Sequence, residues 1–157
     1  MLTEWLRGCW SLGDRELPQR MRDKLATFWT FTEELARLST CKRACIGCTI
    51  INPDMTEVLA IGYNGPASGM RNNSCRGVEG KCGCAHAEGN AIAKLSAGKD
   101  LVMLCTTLQC EHCAALTVNS KKVGAVVYGV EYRDPAGRHL LQNCGILVVS
   151  ATELAIN

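Results

Sequence analysis

Two short polar segments on either side of one apolar run constrain this chain more than anything else in it. Cys84-Ala85-His86-Ala87-Glu88 opens a stretch with helical patterning, and Cys110-Glu111-His112-Cys113 opens another, directly after the strand-like run Leu101 to Thr106. Cysteines three apart at a helix start place both sulfurs on one side of the first turn, where backbone N–H groups and the helix dipole favour thiolate. One imidazole added to two thiolates gives a three-ligand tetrahedral zinc site with a fourth position left for water. His86, Cys110 and Cys113 are therefore candidate metal ligands. Glu88, two residues beyond His86, is close to such a metal yet free to move protons. The plainer alternative is a purely structural zinc on Cys110 and Cys113, with Glu88 as a solvated helix charge.

The rest of the chain fits around this frame. A helix is expected from Pro18 to about Ser39-Thr40, with Met21, Leu25, Phe28, Thr32, Leu35 and Leu38 at three- and four-residue spacing. Ile46 to Ile51 reads as a strand, Asn52-Pro53-Asp54 as a turn and Thr56 to Tyr63 as an antiparallel return strand. Helices are expected over His86 to Ala97, stopped by Gly98, over Cys110 to Ser120 and over Pro135 to Asn143. Val123 to Tyr128 and Ile146 to Val149 read as further strands. A hairpin followed by β-α-β-α-β units implies an α/β fold, a three-layer α-β-α sandwich around a five-stranded mixed sheet. Asn64 to Gly83, rich in Gly, Asn and Ser, is longer than a compact domain tolerates without a function or a metal clip. Met1 to Leu17, with Trp5 and Trp10, reads as an extension preceding a single domain over 18–157.

Composition excludes several classes. With 157 residues, 47% hydrophobic and 20% charged, the chain suits one globular domain. A net charge of +2 is too mild to demand a nucleic-acid or membrane partner. No apolar run approaches the ~20 residues of a bilayer span, and the first residues lack the apolar centre of a signal peptide. A soluble, cytoplasmic protein is expected. Eleven cysteines in a reducing compartment point to metal rather than disulfides. Cys48, Cys105 and Cys144, set among apolar neighbours, are expected to be small buried hydrophobes.

Residues from about Glu33 to Val149 resemble the cytidine and deoxycytidylate deaminase superfamily, nearest its dCMP-deaminating branch. Four blocks carry the resemblance: Ser39-Thr40-Cys41-Lys42-Arg43-Ala44; Ile46-Gly47-Cys48 leading to Asn52-Pro53; Gly62-Tyr63-Asn64-Gly65-Pro66; and His86-Ala87-Glu88 with Asn90-Ala91-Ile92. One departure is Gln109, where the family usually has proline. The resemblance implies zinc-dependent hydrolysis of dCMP to dUMP, which supplies thymidylate synthesis. It gives His86, Cys110 and Cys113 the zinc and makes Glu88 the catalytic proton shuttle, serving ring nitrogen 3 and then the departing ammonia. Asn64 would bond the sugar, a backbone carbonyl at Cys84 or Thr107 the exocyclic amine, and Tyr132 would lie near the nucleotide. A monophosphate needs a cationic clamp, for which Arg43 is the first candidate and Lys42 and Arg71 the others.

Some relatives carry a second, structural zinc in the regions of Cys41, Cys75, Cys82 and Cys84, and here four cysteines could close a tetrahedral site, with Cys45 as a substitute for Cys41. The resemblance further implies a homo-oligomer, dimer or hexamer, and control by dCTP and dTTP. Other readings are a deaminase of the tRNA adenosine type, one acting on free cytosine or cytidine, and a non-catalytic zinc-binding module. The near-neutral charge and the Gly62-to-Pro66 block speak against the first. Glu88, unnecessary for holding metal, speaks against the last.

Overall fold

The computed structural model describes residues 17–156. In chain order they form α1 (Gln19–Ala36), β1 (Gly47–Ile51), β2 (Val58–Tyr63), β3 (Gly65–Pro66), β4 (Cys84–Ala85), α2 (Ala87–Ile92), β5 (Leu101–Thr107), α3 (Glu111–Ser120), β6 (Val123–Val130), α4 (Ala136–Asn143) and β7 (Leu147–Ser150). The expected extension over 1–17 lies outside the described residues apart from Leu17, which is buried beside Leu25 and Trp29.

The five long strands form the mixed sheet expected from the sequence, in the order β2-β1-β5-β6-β7. β1 runs antiparallel to both β2 and β5, whereas β5, β6 and β7 run parallel. Every residue of β1 is buried, as are Leu101 to Cys105 and Val123 to Tyr128. Strands covered on both faces need apolar side chains in both directions, which explains these unbroken runs. One face, with Ile51, Val102, Leu104, Ala125 and Val127, packs on Leu25 and Trp29 of α1. The other, with Cys48, Ile50, Met103, Cys105 and Val126, packs on Ala87 and Ala91 of α2, Ala114 of α3 and Leu141 of α4. Cys48 and Cys105 are thus fully buried, as expected.

Cys144 is a correction. It is exposed, because it ends α4 just before Gly145, whose φ of +77° turns the chain outward. Element ends also differ from expectation. α1 stops at Ala36, where Arg37, Leu38 and Ser39 tighten to bonds three residues back, and Leu38 is exposed. β2 begins at Val58 because Asn52 Oδ1 accepts the N–H groups of Thr56 at 2.8 Å and Glu57 at 3.1 Å, keeping both in the turn. α2 is half its expected length. Beyond it Lys94 and Leu95 make three-residue bonds, and Lys122 Nζ donates to the carbonyls of Leu95 and Ser96. The long loop begins with β3 and runs into β4, which pair Gly65 with Ala85 and Pro66 with Cys84.

Gly62 sets the spacing between β2 and α2. A Cβ there would lie 2.0 Å from the Ala87 carbonyl oxygen and 2.7 Å from the Ala91 nitrogen. Both are backbone atoms and cannot rotate away. Gly62→Ala is expected to destabilise the fold by roughly 3 kcal/mol, lowering the melting temperature by about 6–12 °C in a chain this size. A thermal melt within a degree of wild type would show that the two elements separate without cost.

Candidate active site

His86 immediately precedes α2 and Cys110 immediately precedes α3, both in extended conformation (φ −79°, ψ 152° and φ −69°, ψ 164°). Neither side chain caps its own helix, so imidazole and thiol are free for another partner. Cys113 lies one turn into α3 and is buried. His86 Nδ1 stands 3.5 Å from Cys110 Sγ and 3.4 Å from Cys113 Sγ. The three donor atoms lie within 4.8 Å of one another at the meeting point of two helix N-termini.

The electrostatics suit a cation. Hydrogen bonds from the Cys113 thiol and the His86 imidazole hold Cys110 down at about 4. Cys113, as the donor in that pair, is pushed up, with burial adding to it. His86 is raised by its bond to Cys110. One imidazole and a thiol–thiolate pair form a soft N/S donor set, the type zinc prefers, and a bound ion would displace the shared proton. The residues fit the ion.

Glu88 is 4% exposed. Burial pushes its carboxyl above the usual range, opposed in part by bonds from its own backbone N–H and from the Cys113 thiol. A carboxyl raised in this way has a higher proton affinity than an exposed glutamate, which suits a group that must take a proton from water.

Glu88 and His86 open on a cavity of about 290 Å³ that also meets Arg43, Ile46, Asn64 and Tyr132. Cys84 and Thr107 line the same cavity. Asn64 is buried, and its amide is largely committed: Oδ1 accepts from Ile46 N–H at 2.8 Å, and Nδ2 donates to the Ala44 carbonyl at 2.8 Å. It therefore clamps the segment that carries Arg43, with one amide hydrogen left for a ligand.

Two of the candidate phosphate contacts fall elsewhere. Arg71 does not line this cavity; it is exposed beyond the Ala67–Met70 turn, which carries it outward. Lys42 also lies off the cavity, its N–H directed to Cys75 Sγ at 3.4 Å. Arg133 takes their place at the mouth, with its guanidinium 5.7 Å from the Tyr132 ring centroid. Its position next to Tyr132 was the only sequence signal available. Gln109 turns into the core, where its Oε1 accepts from Thr117 Oγ1 at 2.8 Å, so the missing proline leaves the cavity wall unaltered.

A second cluster brings Cys41, Cys75, Cys82 and Cys84 within 4.8 Å of one another. Residues two apart in an extended chain share a face, and Gly83, at φ +79°, turns the chain between Cys82 and Cys84, whose thiols meet at one centre. The Lys42 N–H holds Cys75 down at about 7. Four thiols at this separation match a closed structural zinc site.

The fold and the donor set of the site are those of the zinc-binding α/β deaminases. The family model of the cytidine and deoxycytidylate deaminase zinc-binding region matches residues 22–130. The chain belongs to that family. It is 35% identical to the deoxycytidylate deaminase of Saccharomyces cerevisiae over 72% of its own length and 40% of the yeast protein's. The cyanophage S-TIM5 dCMP deaminase, solved in complex with dCMP and dUMP, superposes with a TM-score of 0.72 at 27% identity, covering 86% of this chain and 99% of the phage chain. A Thermotoga maritima diaminohydroxyphosphoribosylaminopyrimidine deaminase/reductase shares the fold alone, with a TM-score of 0.64 and 20% identity over 86% of this chain and 38% of that one.

Removing the Asn64 amide tests its clamping role. Asn64→Ala forfeits two bonds of about 1 kcal/mol each and strands the Ile46 N–H. The expected loss is ~2–3 kcal/mol, read as a drop of about 4–12 °C in a thermal melt. An unchanged melt would leave Asn64 as a ligand contact only.

Proposed function

We propose that the chain catalyses the hydrolytic deamination of dCMP to dUMP. The observation that carries this reading is the meeting of His86, Cys110 and Cys113 with a buried carboxyl, Glu88, in one cavity whose mouth holds Arg43 and Arg133. The yeast and phage relatives support it. His86, Cys110 and Cys113 would hold the catalytic zinc, which when bound lowers the pKa of water to about 7 and so supplies hydroxide at neutral pH.

The remaining work falls to the chain's own side chains. Ile46 and Leu108 present apolar walls to the cytosine ring. Glu88 accepts a proton from the water that adds at carbon 4 and delivers it to ring nitrogen 3. It then takes the proton of the new hydroxyl at carbon 4 and passes it to the exocyclic amino group, which leaves as ammonia as the carbonyl forms. Its burial serves the first step, because a carboxyl with a raised pKa is a stronger base toward the attacking water. Asn64 offers its remaining amide hydrogen to the sugar. Arg43 and Arg133 suit the phosphate, since a guanidinium can present two parallel donors to it. A non-catalytic zinc module would have no use for a buried carboxyl beside the ligand set.

Cys41, Cys75, Cys82 and Cys84 would hold a second, structural zinc. Homo-oligomeric assembly and control by dCTP and dTTP belong to the same reading. Exposed Leu38, Tyr63 and Met70 around a further cavity of about 420 Å³ support the assembly by offering an apolar face to a second copy. A cytoplasmic location belongs to the same reading. Among the described residues no helix is long and apolar enough to cross a membrane.

Loss of cytosine absorbance, followed in parallel with dCMP, deoxycytidine, cytosine and a tRNA anticodon stem, tests the substrate. Turnover is expected with dCMP, and preference for any other member overturns the assignment. Glu88→Ala should lower kcat by roughly 10²–10⁴-fold while zinc content is unchanged. Cys110→Ser should cost both metal and activity. Zinc lost from the Glu88 variant would make that residue a ligand instead of a proton shuttle.

Metal analysis of the fully loaded wild-type protein is expected to give two zinc ions per chain. A Cys75→Ser, Cys82→Ser double variant should give one, with earlier melting. A single ion in the wild type rules out the structural site.

A further inference from the structure

The two arginines at the cavity mouth already share an anion. Arg43 Nη2 lies 3.5 Å from Glu79 Oε2, and Arg133 Nη1 pairs with the other oxygen, Glu79 Oε1. One carboxylate thus presents a separate oxygen to each guanidinium, as the oxygens of a phosphate group would. The fold puts it there. Glu79 lies in the turn closed by Lys81 N–H to the Val78 carbonyl at 3.1 Å, inside a loop whose base is closed by Arg76 N–H to the Cys82 carbonyl at 3.0 Å. Cys75 and Cys82, at the two ends of that loop, are anchored in the four-thiol cluster.

The surroundings are cationic. A second cavity, of about 360 Å³, meets Arg43, Arg76, Lys81 and Arg133, and shares His86, Tyr132 and both clamp arginines with the catalytic cavity. An anion entering from solvent along this face reaches the Arg43–Arg133 pair before it reaches Glu88.

We propose that Glu79 is a specificity-determining residue: its carboxylate occupies the Arg43–Arg133 pair and yields it to a doubly charged phosphate group. The proposal deepens the nucleotide reading given above and rests on it. Displacement is feasible because the contact is solvated: the side chains of Arg43, Arg133 and Glu79 are 33%, 57% and 57% exposed. Ion pairs of this kind contribute no more than about fivefold to an equilibrium. A phosphate dianion brings twice the charge and more acceptor oxygens, and forms stronger charge-assisted bonds. A neutral nucleoside offers the arginines nothing in exchange. Glu79 therefore weakens every ligand that needs the pair while excluding weak anions from it.

The test is calorimetric titration of the zinc-loaded full chain with inorganic phosphate, at a pH where phosphate is dianionic, alongside steady-state kinetics with dCMP and deoxycytidine. Glu79→Gln is expected to tighten phosphate by about threefold, lower KM for dCMP by a similar factor, and raise the ratio of kcat/KM for dCMP over deoxycytidine. Arg133→Ala is expected to weaken phosphate. If Glu79→Gln instead weakens phosphate, Glu79 serves to position the arginines and the proposal fails. It fails equally if phosphate affinity is unchanged. The titration needs no turnover: tightened phosphate binding in a protein inactive on dCMP would uphold the anion competition and discard the substrate assignment. A thermal melt of each variant confirms that the fold compared is the same.

Discussion

The helix that carries His86 and Glu88 is too short to hold its own place, and the site's geometry follows from what holds it. Six residues make fewer than two turns, well below the length at which a helix is stable in water by itself. α2 is positioned from outside, by three contacts with one strand. Gly62 lets the α2 backbone lie against β2 without a Cβ between them. Asn90 Nδ2 donates to the Tyr63 carbonyl at 2.9 Å, and Lys94 Nζ to the Ile61 carbonyl at 3.1 Å. Cys110 and Cys113 come from the other side of the sheet's centre, on a chain that leaves β5 with Leu108 N–H bonded to the Val130 carbonyl of β6 at 2.8 Å. Both deliveries are tied to strands of one sheet, so the imidazole and the two thiols meet at a separation set by strand spacing. Rigid elements fix such distances more tightly than loops can.

That placement also sorts charge by depth. The carboxyl of Glu88 and the thiol of Cys113 lie deepest, where burial keeps the proton affinity of both high. Cys110 and the imidazole come next, with Cys110 held as thiolate by its neighbours. Arginines stand at the mouth, in partial contact with water. The net charge of the chain is only +2, so this cationic rim is a local arrangement, and it steers anions toward one opening more than it draws polyanions to the whole surface.

The sequence discloses the parts of this arrangement that depend on periodicity and on short fixed spacing. The apolar runs of β1, β5 and β6 and the three-residue interval of Cys110 and Cys113 translate directly into a buried sheet and two sulfurs on one helical turn. Contacts made by loops are opaque at that stage. Arg133 and Glu79 are exposed residues with no patterning, and their pairing exists only because the 76–81 loop folds back toward the end of β6. Arg71 has the same composition-level credentials as Arg43 but sits beyond a turn that carries it outward. Asn64 shows a subtler shortfall. Its side chain type was legible as a hydrogen-bonding group, but the share of its capacity spent on Ile46 and Ala44 depends on tertiary proximity. The short α2 is a similar case, because helical patterning through Ala97 is overridden when Lys122 takes the carbonyls of Leu95 and Ser96.

The four-thiol cluster brings these strands of reasoning together. The loop from Asn64 to Gly83 has few apolar side chains to bury, so its ordering entropy of about 1–2 kcal/mol per residue cannot be met by packing. Cross-links between Cys41, Cys75, Cys82 and Cys84, through an ion or through thiol hydrogen bonds, supply the missing restraint. Cys84 pairs with Pro66 in the β3–β4 ribbon, and two residues later the chain reaches His86. Cys41, Cys82 and Cys84 are themselves part of the catalytic cavity wall. The cluster is therefore continuous with the site: the same backbone that closes the loop delivers the imidazole, and any loosening of the thiols moves His86 before it moves the sheet.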